Sequence, residues 1–204
     1  GALVHVYTDG SVHLNHGGTE MGQGLHTKVI QIVADVFGLD ASRVRISNTT
    51  TGKVPNTSAT AASSGTDLNG MAALRAAETI KLRMADYLAK LYQSHSNDID
   101  FSSGSVILPS GQSLSFSEAV NQCHMGRISL SSTGFYSTPE IHWDDNSLTG
   151  SPYYYFAYGV ALSEVIVDTL TGESRVLRAD ILHDAGHSIN PGPKEFPFPY
   201  DLNS

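Results

Sequence analysis

The sequence predicts an α+β fold, with mixed sheets and hairpins around two main helices. Three observations carry this expectation. Two long stretches place apolar residues at helical spacing. Short alternating segments closed by glycine turns read as strands and hairpins. The strands and helices do not alternate regularly, and no internal repeat or low-complexity tract appears.

The elements follow in order. Leu3 to Tyr7 alternates, Asp9-Gly10 offers a tight turn, and Ser11 to His16 alternates again, with Val4 and Val6 on one face and Val12 and Leu14 on one face. A glycine-rich loop, Gly17 to Gly24, comes next. Leu25, Val29, Ile32/Val33 and Val36 then predict a helix from Leu25 to Phe37, with Gly38 as its left-handed cap. Arg43 to Asn48 reads as a short strand and Thr49 to Ser58 as loop. The longest helix is expected from Thr66 to Tyr92, with Leu68, Ala72, Ala76, Ile80, Met84, Leu88 and Leu91 in one stripe. Ser94 to Asp100 is expected as loop, Val106 to Leu108 as strand, and Ser117 to Met125 as a helix capped near Ser115 or Ser117. Ile128 to Tyr136 should be a strand and Thr138 to Pro152 an irregular loop. Tyr158 to Asp168 and Glu173 to Asp184 are two strands joined by Thr169-Leu170-Thr171-Gly172. The proline-rich end, residues 192–204, is expected to be irregular.

Composition narrows the function. With 204 residues and 40 % hydrophobic content, the chain can build a core. Its net charge is −8 and it has no Lys/Arg cluster, so no nucleic-acid partner is expected. The single cysteine, Cys123, excludes an internal disulfide and fits a reducing, cytoplasmic setting. No apolar run approaches the roughly 20 residues of a membrane span. The chain opens within a strand and shows no leader, which suggests a piece of a longer protein.

Two segments share one chemical logic. Gly17 to Gly24 runs into a helix, and so does Thr60-Ala61-Ala62-Ser63-Ser64-Gly65. A helix start carries free N–H groups and the positive end of the helix dipole. Small residues let a ligand approach the backbone, so two converging starts could cradle an anion in an acidic protein. Gln23 adds an amide that can donate or accept. The alternative stays open at this point: glycines for a turn, and small residues for close helix packing. Neither a phosphate-binding P-loop nor a dinucleotide fingerprint matches the spacing.

These residues also carry a resemblance. Gly18-Thr19-Glu20-Met21-Gly22-Gln23-Gly24-Leu25-His26-Thr27-Lys28 resembles the cofactor loop of the xanthine dehydrogenase/aldehyde oxidase family. Val54-Pro55-Asn56-Thr57-Ser58-Ala59-Thr60-Ala61-Ala62-Ser63 and Asp67-Leu68-Asn69-Gly70 match in turn. So do Tyr158-Gly159-Val160-Ala161, Glu164-Val165 and Asp168 to Glu173. A last match is Leu177 to Gly186, then Ser188-Ile189-Asn190-Pro191. The stretch is more similar to the bacterial xanthine dehydrogenase large subunit than to aldehyde oxidases. The resemblance implies a partial molybdopterin-binding domain over residues 1–191, in a molybdenum hydroxylase that oxidises purines such as xanthine and hypoxanthine. It implies Met21, Gly22, Gln23, Gly24, Thr60, Ala62 and Ser63 as cofactor-binding residues for molybdenum-molybdopterin. Iron–sulfur and FAD domains are the implied partners, and the protein is expected to be a homo-oligomer.

The departures matter equally. Where the family continues with Asp-x-Gly-Gln, this chain reads Gly192-Pro193-Lys194-Glu195-Phe196-Pro197. The resemblance places the family's catalytic glutamate and substrate clamp outside this chain. No catalytic residue is therefore assigned within it, and the alternative is an inactive assembly or binding module. A hydrolase built on the same loop lacks a nucleophile–base pair. Glu20 is expected to make a structural hydrogen bond near the loop rather than to act as base. His13 and His16 fall on opposite strand faces, and His183 and His187 lack a third ligand, so no metal site is expected among the nine histidines. They are read as surface and loop groups. The run Tyr153 to Phe156 is read as core or as a subunit contact, and with part of the long-helix stripe it is a candidate surface for self-association.

Overall fold

The first strands, β1 (Ala2–Val6) and β2 (Val12–His16), form the expected hairpin. Asp9 tightens its turn, accepting the Ser11 N–H and hydroxyl, while Gly10 takes the left-handed backbone that the turn requires (φ +77°). The architecture comes from a computed structural model that describes residues 1–53, 57–184, 186, 188 and 189. It divides into two compact units, Gly1–Ser137 and a second that begins at Thr138.

In the first unit, β2 leads through the glycine loop into α1 (Leu25–Phe37). Gly38 caps α1 at φ +62°, and a Cβ there would lie 2.3 Å from the carbonyl oxygen of Phe101, so this position needs glycine for both conformation and space. A short turn capped by Asp40 follows, then β3 (Val44–Ile46), which pairs parallel to β2. β2, α1 and β3 thus make a strand–helix–strand crossover with the glycine loop at the outgoing end of its first strand. The long helix α2 (Gly65–Leu91) lies across the sheet and against α1. Its contact face is rich in alanine: Ala72, Ala73, Ala76 and Ala77 are buried beside Ile80, Met84 and Leu88. That small-residue face lets β7 (Ser131–Gly134) come close. A Cβ on Gly134 would sit 2.1 Å from the Ala72 carbonyl oxygen. β7 pairs with β1 and completes the sheet order β3-β2-β1-β7.

A small sheet of β4 (Asp100–Ser102), β5 (Ser105–Ile107) and β6 (Ser113–Ser115) leads into α3 (Phe116–Met125). Ser115 and Glu118 form a reciprocal capping box at the start of α3. Sheet, helices and small sheet share one core containing Val4, Leu14, Val29, Phe37, Ile80, Met84, Val106 and Cys123.

The second unit holds two hairpins. β8 (His142–Asp144) pairs with β9 (Thr149–Ser151). β10 (Gly159–Val167) pairs with β11 (Ser174–His183), with a register shift between Glu164 and Val165. Asp168 closes this hairpin by accepting the N–H groups of Leu170 and Thr171.

Some expectations need correction. One strand was expected at Val106 to Leu108, where the structure forms three short strands, β4, β5 and β6, with a turn at Ser103-Gly104 between the first two. Ser94 to Asp100 contains a 3-10 turn, Ser96–Asp98, and the start of β4. The loop expected at Thr138 to Pro152 carries the β8–β9 hairpin. Three-residue strands are too short for alternation to register. Of the long stripe, Leu91 at the end of α2 is 50 % exposed, while Ala72 to Leu88 lie in the protein's own core and offer no surface for self-association. The Tyr153 to Phe156 run is exposed rather than core. Val54, Pro55, Asn56, Ala185, His187, Asn190, Pro191 and the proline-rich end, residues 192–204, lie outside the described residues. No described helix is long and apolar enough to cross a membrane.

Candidate functional site

The loop between β2 and α1 is built around Glu20. One carboxylate oxygen accepts the N–H groups of Gly22 (2.9 Å) and Gly24 (3.0 Å), and the other accepts that of His26 (3.0 Å). A carboxylate thus sits on the open N-terminus of α1, where the free N–H groups and the dipole favour negative charge. These bonds to the charged form hold its pKa below the usual carboxylate range, the His26 N–H contributing most. Gln23 is also engaged within the loop. Its amide oxygen accepts the Met21 N–H, and its Nε2 donates to the Thr19 carbonyl (2.9 Å). The donors expected to meet a ligand at Gly22, Gln23 and Gly24 therefore have partners inside the loop, and the role expected for Glu20 is the observed one. Met21 is left pointing outward, 67 % exposed. Gly22 lies beside it at φ +96°, with open space where a Cβ would stand.

Beneath the loop the fit is tight. A Cβ on Gly17 would come within 2.3 Å of Thr57, and one on Gly18 within 2.5 Å of Leu25 and 2.8 Å of Asn69. Thr49 donates its hydroxyl to the Gly18 carbonyl (2.6 Å), and Asn69 Nδ2 donates to the Gly65 carbonyl (2.8 Å). The second segment approaches from the start of α2. The Thr19 N–H donates to Thr60 Oγ1 at 2.9 Å, joining two loops 41 residues apart. The loops leading into α1 and α2 are therefore neighbours; the expectation that both helix starts open onto one shared cleft is not tested by this contact.

They differ in one respect. No side chain caps α2, whose N-cap residue is Ser64. Ser64 directs both its N–H and its hydroxyl to the Ala61 carbonyl. Ala62 and Ser63 hold left-handed backbones (φ +52° and +58°) and are exposed. L-residues adopt this conformation at a cost of order 1 kcal/mol or more, and such strain concentrates at ligand clamps. The α1 start is thus filled by Glu20, whereas no side-chain hydrogen bond caps the start of α2.

One side chain contradicts the reading of the histidines as surface groups. His16, on the same strand face as Val12 and Leu14, is 2 % exposed. Its Nδ1 accepts the Gly18 N–H at 3.0 Å. Burial first, then the neighbouring charge of His26 and the chain's amino group, push its pKa down to about 4. Parity along β2 was the available signal, since residues two apart share a face. Thr57 and Asn69 were within matched segments, but nothing in their type announced their packing against the loop.

The residues present fit an anionic, hydrogen-bonding organic cofactor. They supply an uncapped helix start, an open face at Gly22, hydroxyls at Thr60 and Ser63, and a local carboxylate whose charge is already engaged by three N–H groups. Among the described residues, no group of three or more His, Cys, Asp or Glu side chains could hold a metal ion directly. A separate cleft of about 790 Å³, lined by Asp35, Arg43, Ser103 and Ser117, lies by Gly38 at the far end of α1.

Comparison with known proteins agrees with this geometry. A family model described as a molybdopterin cofactor-binding domain matches residues 1–194. The chain is 47 % identical over 191 residues to xanthine dehydrogenase/oxidase of Felis catus, covering 94 % of this chain and 13 % of that protein. It is 45 % identical over 194 residues to xanthine dehydrogenase of Dictyostelium discoideum, with the same coverage of 94 % and 13 %. Among solved structures, quinoline 2-oxidoreductase from Pseudomonas putida 86 superposes with a TM-score of 0.76 at 25 % identity, covering 93 % of this chain and 24 % of that one. The fold recurs in reconstituted CO dehydrogenase from Oligotropha carboxidovorans, with a TM-score of 0.73 at 22 % identity, covering 89 % of this chain and 22 % of that one.

Proposed function

The chain belongs to the molybdopterin cofactor-binding domain family, and from that premise we propose that it forms part of a molybdenum hydroxylase acting on purines of the xanthine and hypoxanthine type. The observation that carries the site is the Thr19–Thr60 bond, which brings the two candidate cofactor segments together. The substrate class is supported by identities of 45–47 % with xanthine dehydrogenases of an animal and an amoeba. The chain spans about 13 % of those relatives' length, so the activity belongs to a larger protein.

In this reading Met21, Gly22, Gln23 and Gly24 cover one side of molybdopterin. Thr60, Ala62 and Ser63 present the start of α2 to its phosphate. When bound, the cofactor supplies the two-electron oxidation of the substrate carbon. This chain's own groups bind and orient it. Glu20 keeps the first loop shaped, and the left-handed pair Ala62-Ser63 turns the second loop toward the ligand. The partners are iron–sulfur and FAD domains that carry electrons away, together with a second copy of the parent subunit, in the cytoplasm.

A Ser63→Asp substitution puts a negative charge where the phosphate is proposed to rest. The parent protein should then lose its molybdenum and pterin content by on the order of tenfold or more, which corresponds to about 1.4 kcal/mol of lost binding. Unchanged metal and pterin content would overturn the site.

A second reading, a binding module without turnover of its own, is favoured by one observation. Glu20 is the sole carboxylate in the two segments, and both its oxygens are committed to backbone. The 204-residue chain alone should not oxidise xanthine, and molybdenum-dependent turnover by it would refute this.

A further inference from the structure

The loop between β2 and α1 is held by two separate sets of hydrogen bonds. The first set lies within its outer half. Gln23 accepts the Met21 N–H and donates to the Thr19 carbonyl, while Glu20 accepts the N–H groups of Gly22, Gly24 and His26. That half is a cap built onto α1 and closed by its own side chains.

The second set gathers at Gly18, where the cap meets the sheet. Side chains from three parts of the fold converge on this one residue. His16, the last residue of β2, accepts the Gly18 N–H through Nδ1 at 3.0 Å. Burial holds this ring neutral, which leaves Nδ1 its lone pair. Thr49, which follows β3, donates its hydroxyl to the Gly18 carbonyl at 2.6 Å. Asn69, in α2, lies against the remaining side, since a Cβ on Gly18 would stand 2.8 Å from its Nδ2. His16 and Asn69 are buried, at 2 % and 6 % exposure. Glycine has the widest backbone freedom of any residue, so an unheld Gly18 would let the cap shift against the sheet.

The second segment is registered at the same place. The neighbouring Thr19 N–H reaches Thr60 Oγ1 at 2.9 Å. Asn69 Nδ2 donates to the Gly65 carbonyl at 2.8 Å, at the start of α2. Asn69 therefore packs on the first segment while it bonds the end of the second.

We propose that His16, Thr49 and Asn69 form a clamp on Gly18 that sets the spacing between the two candidate cofactor segments. They are positioning residues, because each acts through the backbone of Gly18 or Gly65 and none needs to touch a ligand. The clamp itself stands on these bonds alone. Its service to the cofactor rests on the function proposed above.

Amide hydrogen exchange of the full chain, followed by nuclear magnetic resonance at neutral pH, tests the clamp. In the unaltered chain Gly18 and Thr19 should open at one rate and Gly22, Gly24 and His26 at another, because the two sets share no hydrogen bond. Thr49→Val keeps the shape of the side chain and removes its hydroxyl. It should speed exchange at Gly18 and Thr19 by about tenfold and leave Gly22, Gly24 and His26 within about twofold. Glu20→Ala should do the reverse. His16→Leu should match Thr49→Val, whereas His16→Gln, whose amide oxygen can accept the Gly18 N–H, should restore most of the protection. A residue of merely structural importance would loosen both sets together, so equal acceleration of all five amides by Thr49→Val would overturn the clamp. So would an unchanged Gly18 amide in that variant, or one shared opening rate in the unaltered chain. The last result is read without any substitution, so a misfolded variant does not decide the outcome. A clamp that holds in a parent protein carrying no molybdopterin would sink the functional reading and leave the clamp standing.

Discussion

The two units draw on similar residues and end in opposite states. Residues 1–137 bury two faces of apolar side chains between a sheet and three helices. From Pro139 onward every described residue is exposed. The second unit does not lack pattern. Across β10 and β11, Ala161 faces Ile181, Ser163 faces Ala179 and Val165 faces Val176, which places small and apolar groups on one face. The other face pairs Leu162 with Asp180 and Glu164 with Arg178, and Arg178 also bridges Asp180 at 2.7 Å. Each hairpin is a single layer, and a single layer cannot bury its own face. Amphipathic alternation reports that a face can be covered, while burial requires a second layer, which α2 supplies in the first unit.

The sharpest way to break this comparison is truncation in each unit. Phe37→Ala removes a fully buried ring from the core and should cost about 3–5 kcal/mol. Leu182→Ala, at a site 74 % exposed, should stay within about 0.5 kcal/mol. Urea unfolding of the full chain measures both, and similar losses would mean that the second unit has a core of its own.

Acid sharpens it next. Folded His16 titrates near 4, whereas an unfolded histidine titrates near 6.5, so below 6.5 the unfolded chain binds the extra proton first. The stabilisation is complete above about pH 6.5, is lost progressively as pH falls toward about 4, and amounts to about 3 kcal/mol at most. His16→Gln should flatten that slope. A wild-type stability that stays level between these values would show that His16 is not buried neutral.

The smallest effect concerns the α3 start. Ser115→Ala opens the capping box and should cost about 1 kcal/mol in the same urea transition. No loss would place α3 outside the cooperative core.

Much of this was readable in the residues. The span of α1 and its Gly38 cap, and the span of α2 to within a residue at each end, followed from strong 3.6-residue periodicity. The long hairpin was equally plain. The strands of three residues were not, because a single alternation looks like loop. In the site, the nearness of the two segments was expected from their shared chemistry. What went unread was competition for the same donors. Nothing in Gly22 or Gly24 shows that their N–H groups already serve Glu20 rather than a ligand. His16 was read by residue type, although its parity with Val12 and Leu14 pointed inward.

The bond from the Thr19 N–H to Thr60 Oγ1 bears on the order in which the protein is made. Its two ends are 41 residues apart, and bringing them together carries an entropic cost that only the docking of α2 on the sheet and α1 can offset. The β1–β2 hairpin and α1 can form from local contacts as the chain emerges. The pairing of the two loops has to wait for residues well into α2. Pulse-labelled hydrogen exchange should accordingly find the Thr19 amide protected later than those of Val4 and Val12. Under the function proposed above, a nascent chain would offer the cofactor no finished cradle, and loading would follow folding of this unit.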